Sequence, residues 1–408
     1  NQSGTSTYYG GVSGSVDVVK EGSGSIWFNS GGFGTFTYSG LTTVRTGTLR
    51  LSLQVTGGQF STSGIVVESG ATFDLANNLT GYMRSSFDRA LTLNGTGVGG
   101  GGALISSLNQ DLTGLVTLGS DSSIGGGSVL AIAGGISGTS TLTKVGSGVL
   151  RLASDSPNFS GKLQLDAGSL EIFQIGGLGT GTRPLSFGGG VLDLTLTGAY
   201  DHSSYFSTDP NQQYKIDTYS YSTTCATPLT SVGGSLTKLG SGSLTLPASN
   251  TYSGNTNVSA GTLIVTGSLS DNSAVSVASG ATYRVDVADT VGSLAGAGSV
   301  ILNADLTTGG DSSSTTFSGD ISGANSLTKI GTGTQTLSGS SSYTGATILS
   351  DGVLSVASLA NGSSNSGIGA SSSAAANLVF DGGTLEYSGA TVGTDRNFTI
   401  NTGKTASI

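Results

Sequence analysis

Along most of the chain, short runs of alternating apolar and polar residues are separated by turns of Gly, Ser, Asn and Asp. In "ATFDLA" Phe73 and Leu75 fall on one side, and in "GTLIV" Leu263 and Val265 do the same, which is the period of two of a strand with one buried face. The runs "GTLRLSLQV", "GIVVESGATFDL" and "AVSVASGATYRVDV" keep this rhythm, bounded by residues that turn a chain. No stretch has convincing amphipathic-helix spacing, and with one Met and few Glu or Lys the strong helix formers are scarce. The pattern predicts an all-β chain.

The runs are also copied. Residues 140–172 read "STLTKVGSGVLRLASDSPNFSGKLQLDAGSLEI", 235–265 read "SLTKLGSGSLTLPASNTYSGNTNVSAGTLIV", and 326–356 read "SLTKIGTGTQTLSGSSSYTGATILSDGVLSV". A looser copy near the start places Lys20 before Gly22 and Gly24, then Tyr38-Ser39-Gly40, then Gly47-Thr48-Leu49. From the lysine to the glycine of the aromatic-Ser/Thr-Gly phrase is 17, 16 and 16 residues (Lys144–Gly161, Lys238–Gly254, Lys329–Gly345), and to the glycine opening the last strand (Gly168, Gly261, Gly352) it is 24, 23 and 23. A unit this short cannot bury a core alone and must stack on its neighbours, as in a solenoid. Shorter echoes, Ser69–Phe73 with Ser279–Tyr283 and Gly189–Leu192 with Gly382–Leu385, mark equivalent corners of successive turns. The chain reads as one continuous β-solenoid, 1–408, of about 16 turns at about 4.8 Å each, a rod on the order of 75 Å. The recurring lysine is expected at a corner with its ammonium in water.

One segment departs from the pattern. Residues 198–230, "GAYDHSSYFSTDPNQQYKIDTYSYSTTCATPLT", hold five of the thirteen tyrosines, the only His and Cys, and two of the five prolines. It reads as an irregular insertion, a hairpin or compact loop leaving one corner of the solenoid, the usual place for a binding surface. Tyr200, Tyr205, Phe206, Tyr214, Tyr219 and Tyr221 are the candidate contact residues, since aromatic rings offer a stacking face and tyrosine adds a polar handle.

Composition narrows the function classes. Seventy glycines with only five prolines and no three-residue period exclude collagen, and the apolar runs exclude a disordered linker. A net charge of −9 without a basic run argues against nucleic acid and against an anionic membrane surface. Charged residues are only 10% of the chain, so most of the surface is hydroxyl and amide. Cys225 alone permits no internal disulfide. No run approaches the length of a membrane helix, and "NQSGTSTYYG" reads as the start of a mature or trimmed chain.

The Leu-Thr-Lys-x-Gly-Ser/Thr-Gly phrases at 142–148, 236–242 and 327–333, each followed by Tyr/Phe-Ser/Thr-Gly and Gly-x-Leu, resemble the passenger-associated repeat of type V secreted autotransporters. The resemblance implies a right-handed parallel β-helix, displayed on or released from the outer membrane of a Gram-negative bacterium. It implies a rigid stalk or adhesin whose partner is a protein or glycan on another cell, or a second copy. The membrane barrel of such proteins is not read in 360–408, which continue as solenoid turns.

Chemistry is sparse. A Ser-His-Asp triad would need His202, and no Gly-x-Ser-x-Gly phrase occurs. "GGDSSS" at 309–314 and "GLGTG" at 177–181 are weak hydrolase and phosphate-loop echoes in a Gly- and Ser-rich chain. One His and one Cys do not make a zinc site. No catalytic residue, cofactor or metal is expected. Asp166, Asp351 and Asp381 are expected to bond their own turns. Two alternatives stay open: a filament subunit joined end to end through uncapped solenoid ends, and a carbohydrate-active β-helix using Asp201, His202, Asp209, Lys215 and Asp217.

Overall fold

The computed structural model describes residues 4–29, 35–52, 60–76, 85–179, 185–194 and 200–408. Its strands are three to six residues long, apart from Val116–Gly126 and two two-residue strands, and every strand ladder is parallel. Helical structure among the described residues is confined to short 3-10 turns such as Ser203–Tyr205 and Ala375–Asn377. The chain divides into two compact units, Asn1–Leu196 and Thr197–Ile408, and each is a β-solenoid.

Register sets the period. In the first unit Leu130 pairs with Leu150 and Leu150 with Leu170, an advance of 20 residues per turn. In the second, Leu236 pairs with Thr256 and Thr256 with Val275, advances of 20 and 19. The turn is thus shorter than the 23 residues counted between repeat phrases, for a physical reason given below. Alternation is as the sequence implies: Leu244, Leu263, Tyr283, Val300 and Ile321 stack inward and are buried. Their neighbours Thr245, Ile264, Arg284, Ile301 and Ser322 form the outward column. At about 25 cal/mol per Å² of apolar surface removed from water, such columns are the main favourable term in the fold.

The repeated lysine is not in water. Lys144, Lys238 and Lys329 occupy inward positions and are buried, Lys238 at 0% exposure, as is Lys20 in the looser copy. Lys238 lies in register between Ile216 and Val258, and its stem packs as an apolar chain would. The ammonium donates to three carbonyls: Leu239 O (2.7 Å) and Gly240 O (2.8 Å) in its own turn, and Ala260 O (3.1 Å) one turn on. Lys144 does the same with Val145, Gly146 and Ala167. Lys329 reaches Ile330, Gly331 and Asp351, and Lys20 reaches Glu21, Gly22 and Thr46. Three N–H donors meet three acceptors, so the buried charge is fully hydrogen-bonded. Burial pushes Lys144 and Lys238 down to about 8, and the Asp217 charge opposes the shift at Lys238. The residue after the far carbonyl is Gly47, Gly168, Gly261 or Gly352, each at positive φ and too close to the preceding turn for a Cβ. The lysine therefore reaches about three residues past the stacking register, which is why its spacing to that glycine exceeds one turn.

The aromatic of each copy lies in the core. The hydroxyls of Tyr252 and Thr256 share a hydrogen bond of 2.5 Å, and those of Tyr343 and Thr347 one of 2.7 Å; Tyr38 and Thr42 form the same pair. Where the aromatic is Phe159, the position four residues on is Leu163, also buried. The threonine hydroxyl also bonds Thr62, Ser273 or the Ile368 carbonyl, so each pair belongs to a wider buried network in which the tyrosine hydroxyl depends on the threonine.

Two further sequence readings need correction. Residues 213–224 do not leave the solenoid as a hairpin: Gln213–Asp217 pairs in parallel with Ser235–Leu239, and Ser222–Thr224 with Ser243–Leu246. The part of the segment before Gln213 does lie between strands, and another long excursion lies at 357–377. Arg396 holds it through the carbonyls of Ala360, Ser364 and Gly369 and the Ser371 hydroxyl. Of the turn aspartates, Asp351 bonds the next backbone N–H, whereas Asp166 and Asp381 pair with side chains, Gln164 and Asn401.

Lys238→Met keeps the stem volume and removes all three donors. It is expected to destabilise the second unit by about 2–3 kcal/mol, read as faster amide exchange across 236–261, while Lys162→Met at an exposed site leaves exchange unchanged. Tyr252→Phe and Thr256→Val should each destabilise, and the double variant less than their sum by about 1 kcal/mol, measured as a double-mutant cycle in denaturant.

Candidate interaction surface

Much of the outward surface of the second unit is hydroxyl and amide. Thr237, Asn257, Ser276 and Ala295 form one outward column in the second unit, and Ser222, Ser243, Thr262, Thr282 and Ser299 another. These residues repeat at the strand spacing of about 4.8 Å and carry no charge, and the two columns end in register at Lys215 and Asp320. Residues 197–408 hold 6 Lys and Arg against 13 Asp and Glu, and Lys238 and Lys329 are withdrawn into the corners. Of the remaining cations, Arg284 pairs with Asp286 and Lys404 with Asp381. The outer surface of this unit is therefore neutral to acidic.

Against that background the aromatic segment at 200–221 stands out, but its six candidates separate. Tyr200 is 54% exposed and Tyr219 42%, whereas Tyr205 and Tyr221 are half-buried. Phe206 and Tyr214 belong to the interior: Tyr214 is 1% exposed, its ring stacks on Phe206 at 6.1 Å, and its hydroxyl donates to Ser207 O at 2.7 Å. The cause is register, since Tyr214 and Ile216 are the inward positions of Gln213–Asp217 and pair with Leu236 and Lys238. Tyr219 has φ +48°, a left-handed corner that pushes its ring out of the turn. The Asp217 carboxylate fixes this corner by accepting the Tyr219 N–H at 2.7 Å.

Two of the carboxylates considered for catalysis, Asp201 and Asp217, are committed to backbone. Asp201 accepts the N–H of Ser203 (2.8 Å) through Oδ1 and that of Ala226 (3.0 Å) through Oδ2. The Ser203 hydroxyl accepts the Thr227 N–H at 2.8 Å. His202 and Cys225 are both buried, and burial raises the thiol far above its ordinary range. In "GGDSSS" the Asp311 carboxylate accepts from Ser293 and Ser313. The loop's departure from the ladder is bridged by buried Gln335, whose amide donates to Leu294 O at 2.9 Å. "GLGTG" is a packing element up to its described limit at Gly179, where positive φ places the backbone on the Phe159 ring as Gly369 does on Tyr343. Among the described residues, no group of three or more His, Cys, Asp and Glu side chains could hold a metal ion.

Sequence reading missed one recurrent device. Asp17, Asp121, Asp305 and Asp320 each accept a backbone N–H from the following turn, at Leu41, Thr141, Ser326 and Ser340. The signal was available as an Asp about 20 residues before a polar corner.

Comparison with known proteins agrees with this geometry. The passenger-associated-transport-repeat family model matches residues 33–51, 142–172, 236–265 and 327–356, which contain the buried Lys144, Lys238 and Lys329 and the paired Tyr38, Tyr252 and Tyr343. The adhesin BmaC autotransporter of Brucella suis biovar 1 (strain 1330) is 34% identical over 413 residues, covering 96% of this chain. The chain spans 11% of the length of that relative. No solved structure matches. The repeat with its lysine corners, the parallel solenoid and this relative together place the chain among the passenger domains of type V secreted autotransporters.

Proposed function

We propose that this chain is a non-enzymatic adhesin segment, a β-solenoid held at the surface of a Gram-negative bacterium that contacts another cell through the tyrosine edge at 200–221. The observation that carries it is the contrast within the second unit: neutral hydroxyl and amide columns, interrupted by exposed Tyr200 and Tyr219. The relative's name as an adhesin supports the same reading. Large rings with a polar tip supply contact area at low entropic cost, and a few such anchors dominate most interfaces. The acidic balance of 197–408 disfavours anionic glycans and nucleic acid. The favoured partner is a neutral glycan or a protein surface without strong negative charge. Of the carboxylates of the rival carbohydrate-active reading, Asp201 and Asp217 bond turn backbone, which favours adhesion over turnover.

Beads coated with the chain should attach to cultured epithelial cells. Combining Tyr200→Ser, Tyr219→Asn and Tyr221→Ser should lower attachment about tenfold, because Asn tolerates the left-handed corner at 219. The circular dichroism spectrum and unfolding midpoint should stay unchanged. Attachment unaffected by the triple variant would place the contact elsewhere, and absence of attachment by the unmodified chain would remove the adhesin reading.

A further inference from the structure

We propose that His202 is an acid-released latch on the turn that presents Tyr200 and Tyr205. The consequence for attachment rests on the adhesin reading above; the release itself does not. His202 is 5% exposed and directly precedes the 3-10 turn Ser203–Tyr205, and its Nδ1 has no hydrogen-bond partner. The turn is tied to the next rung by two bonds, Ala226 N–H to the Asp201 carboxylate and Thr227 N–H to the Ser203 hydroxyl. The two donors directly follow Cys225, the only thiol, which is buried.

Protonation would turn both ring nitrogens into donors, and a buried imidazolium with an unpartnered Nδ1–H is costly. Asp201 is the charged group that acts on His202; burial lowers the imidazole pKa and that carboxylate opposes the shift. The thiol of Cys225, raised by burial and by Asp201, stays neutral across this range. The two oxygens of Asp201 already accept the Ser203 and Ala226 N–H groups. Either Asp201 leaves them to meet the imidazolium, which breaks one of the two ties, or the turn swings into water, which breaks both; each loosens the segment that carries Cys225. Because the folded pKa is depressed, the unfolded form binds the proton more tightly. The stability contributed by neutral His202 is therefore present above the ordinary value of 6.5 and falls as pH drops below it.

A second buried acid in this unit has the opposite sign. Asp289 accepts the Leu269 and Thr290 N–H groups and the Tyr283 hydroxyl, and burial raises it to about 6. Its contribution is present at low pH and lost as pH rises through that value, so acidification firms the rungs near 289 while it loosens the turn at 202. The opening is thus local.

The test is reaction of Cys225 with a dithiodipyridine reagent, expressed relative to denatured protein at each pH. Between about pH 7.5 and about pH 5 the relative rate should rise about tenfold or more in the unmodified chain. The rise should persist in Asp289→Asn and vanish in His202→Gln. Constant protection of the unmodified chain, or the same rise in His202→Gln, overturns the proposal. Should His202→Gln not fold, the Cε1–H resonance of the single histidine decides: an apparent pKa well below 6.5 supports the latch, and one at or above 6.5 overturns it. Loss of bead attachment is a separate readout, so failure of the adhesin reading leaves the thiol result interpretable.

Discussion

Apart from short corner bonds such as Ala71 N–H to Glu68 O and Ala281 N–H to Ala278 O, the backbone N–H and C=O groups of a turn are satisfied by the turns on either side. That constraint explains most of what the sequence contains. Stacked corners bring backbone against backbone, so Gly161, Gly254 and Gly345 stand where a Cβ would collide with the preceding turn. Corners also strand carbonyls that no strand can reach, and the buried lysines collect three at a time from two turns. Corner N–H groups are collected by aspartates one turn away. Glycine, lysine and aspartate are three answers to the same requirement that buried backbone groups be paired.

The strands and the solenoid were legible because they rest on local rules: alternation at Leu263 and Val265, turn residues between runs, and a fixed repeat spacing. The lysine was misread because a lone Lys is normally solvated, and composition gives no hint that three carbonyls converge where its stem ends. Its spacing to Gly168, Gly261 and Gly352 was the available sign, since an exposed residue has no reason to keep a fixed distance from a positive-φ glycine. The tyrosine segment was misread for a related reason. Gln213–Asp217 lacks the repeat phrase, although Tyr214 and Ile216 alternate as a rung strand should, and unusual composition outweighed a correct period. Which aromatics face out followed only from register, so four of the six candidates could not have been separated from Tyr200 and Tyr219 by residue type.

The family repeat and the candidate contact surface make opposite demands. In the repeat copies the inward Lys and Gly are fixed by two neighbouring turns, and the copy with Phe159 carries apolar Leu163 where the others carry the threonine. The outer columns carry no such burden, yet they present the same hydroxyls turn after turn. Distinct surface chemistry can enter only where a turn departs from the phrase while keeping its ladder, as 200–224 do.

Such a departure has a local cost in polar satisfaction. The repeat copies hold buried cations whose three donors are all paired, whereas the 200–206 turn holds a buried imidazole with one nitrogen unpaired. A fully bonded lysine corner answers weakly to moderate acid because its ammonium is already charged and its acceptors are carbonyls that do not titrate. An imidazole kept neutral by burial answers strongly. Loosening by acid is therefore concentrated where the repeat is interrupted, in the same turn that carries the exposed ring of Tyr200, and the solenoid around it supplies a frame that acid does not release.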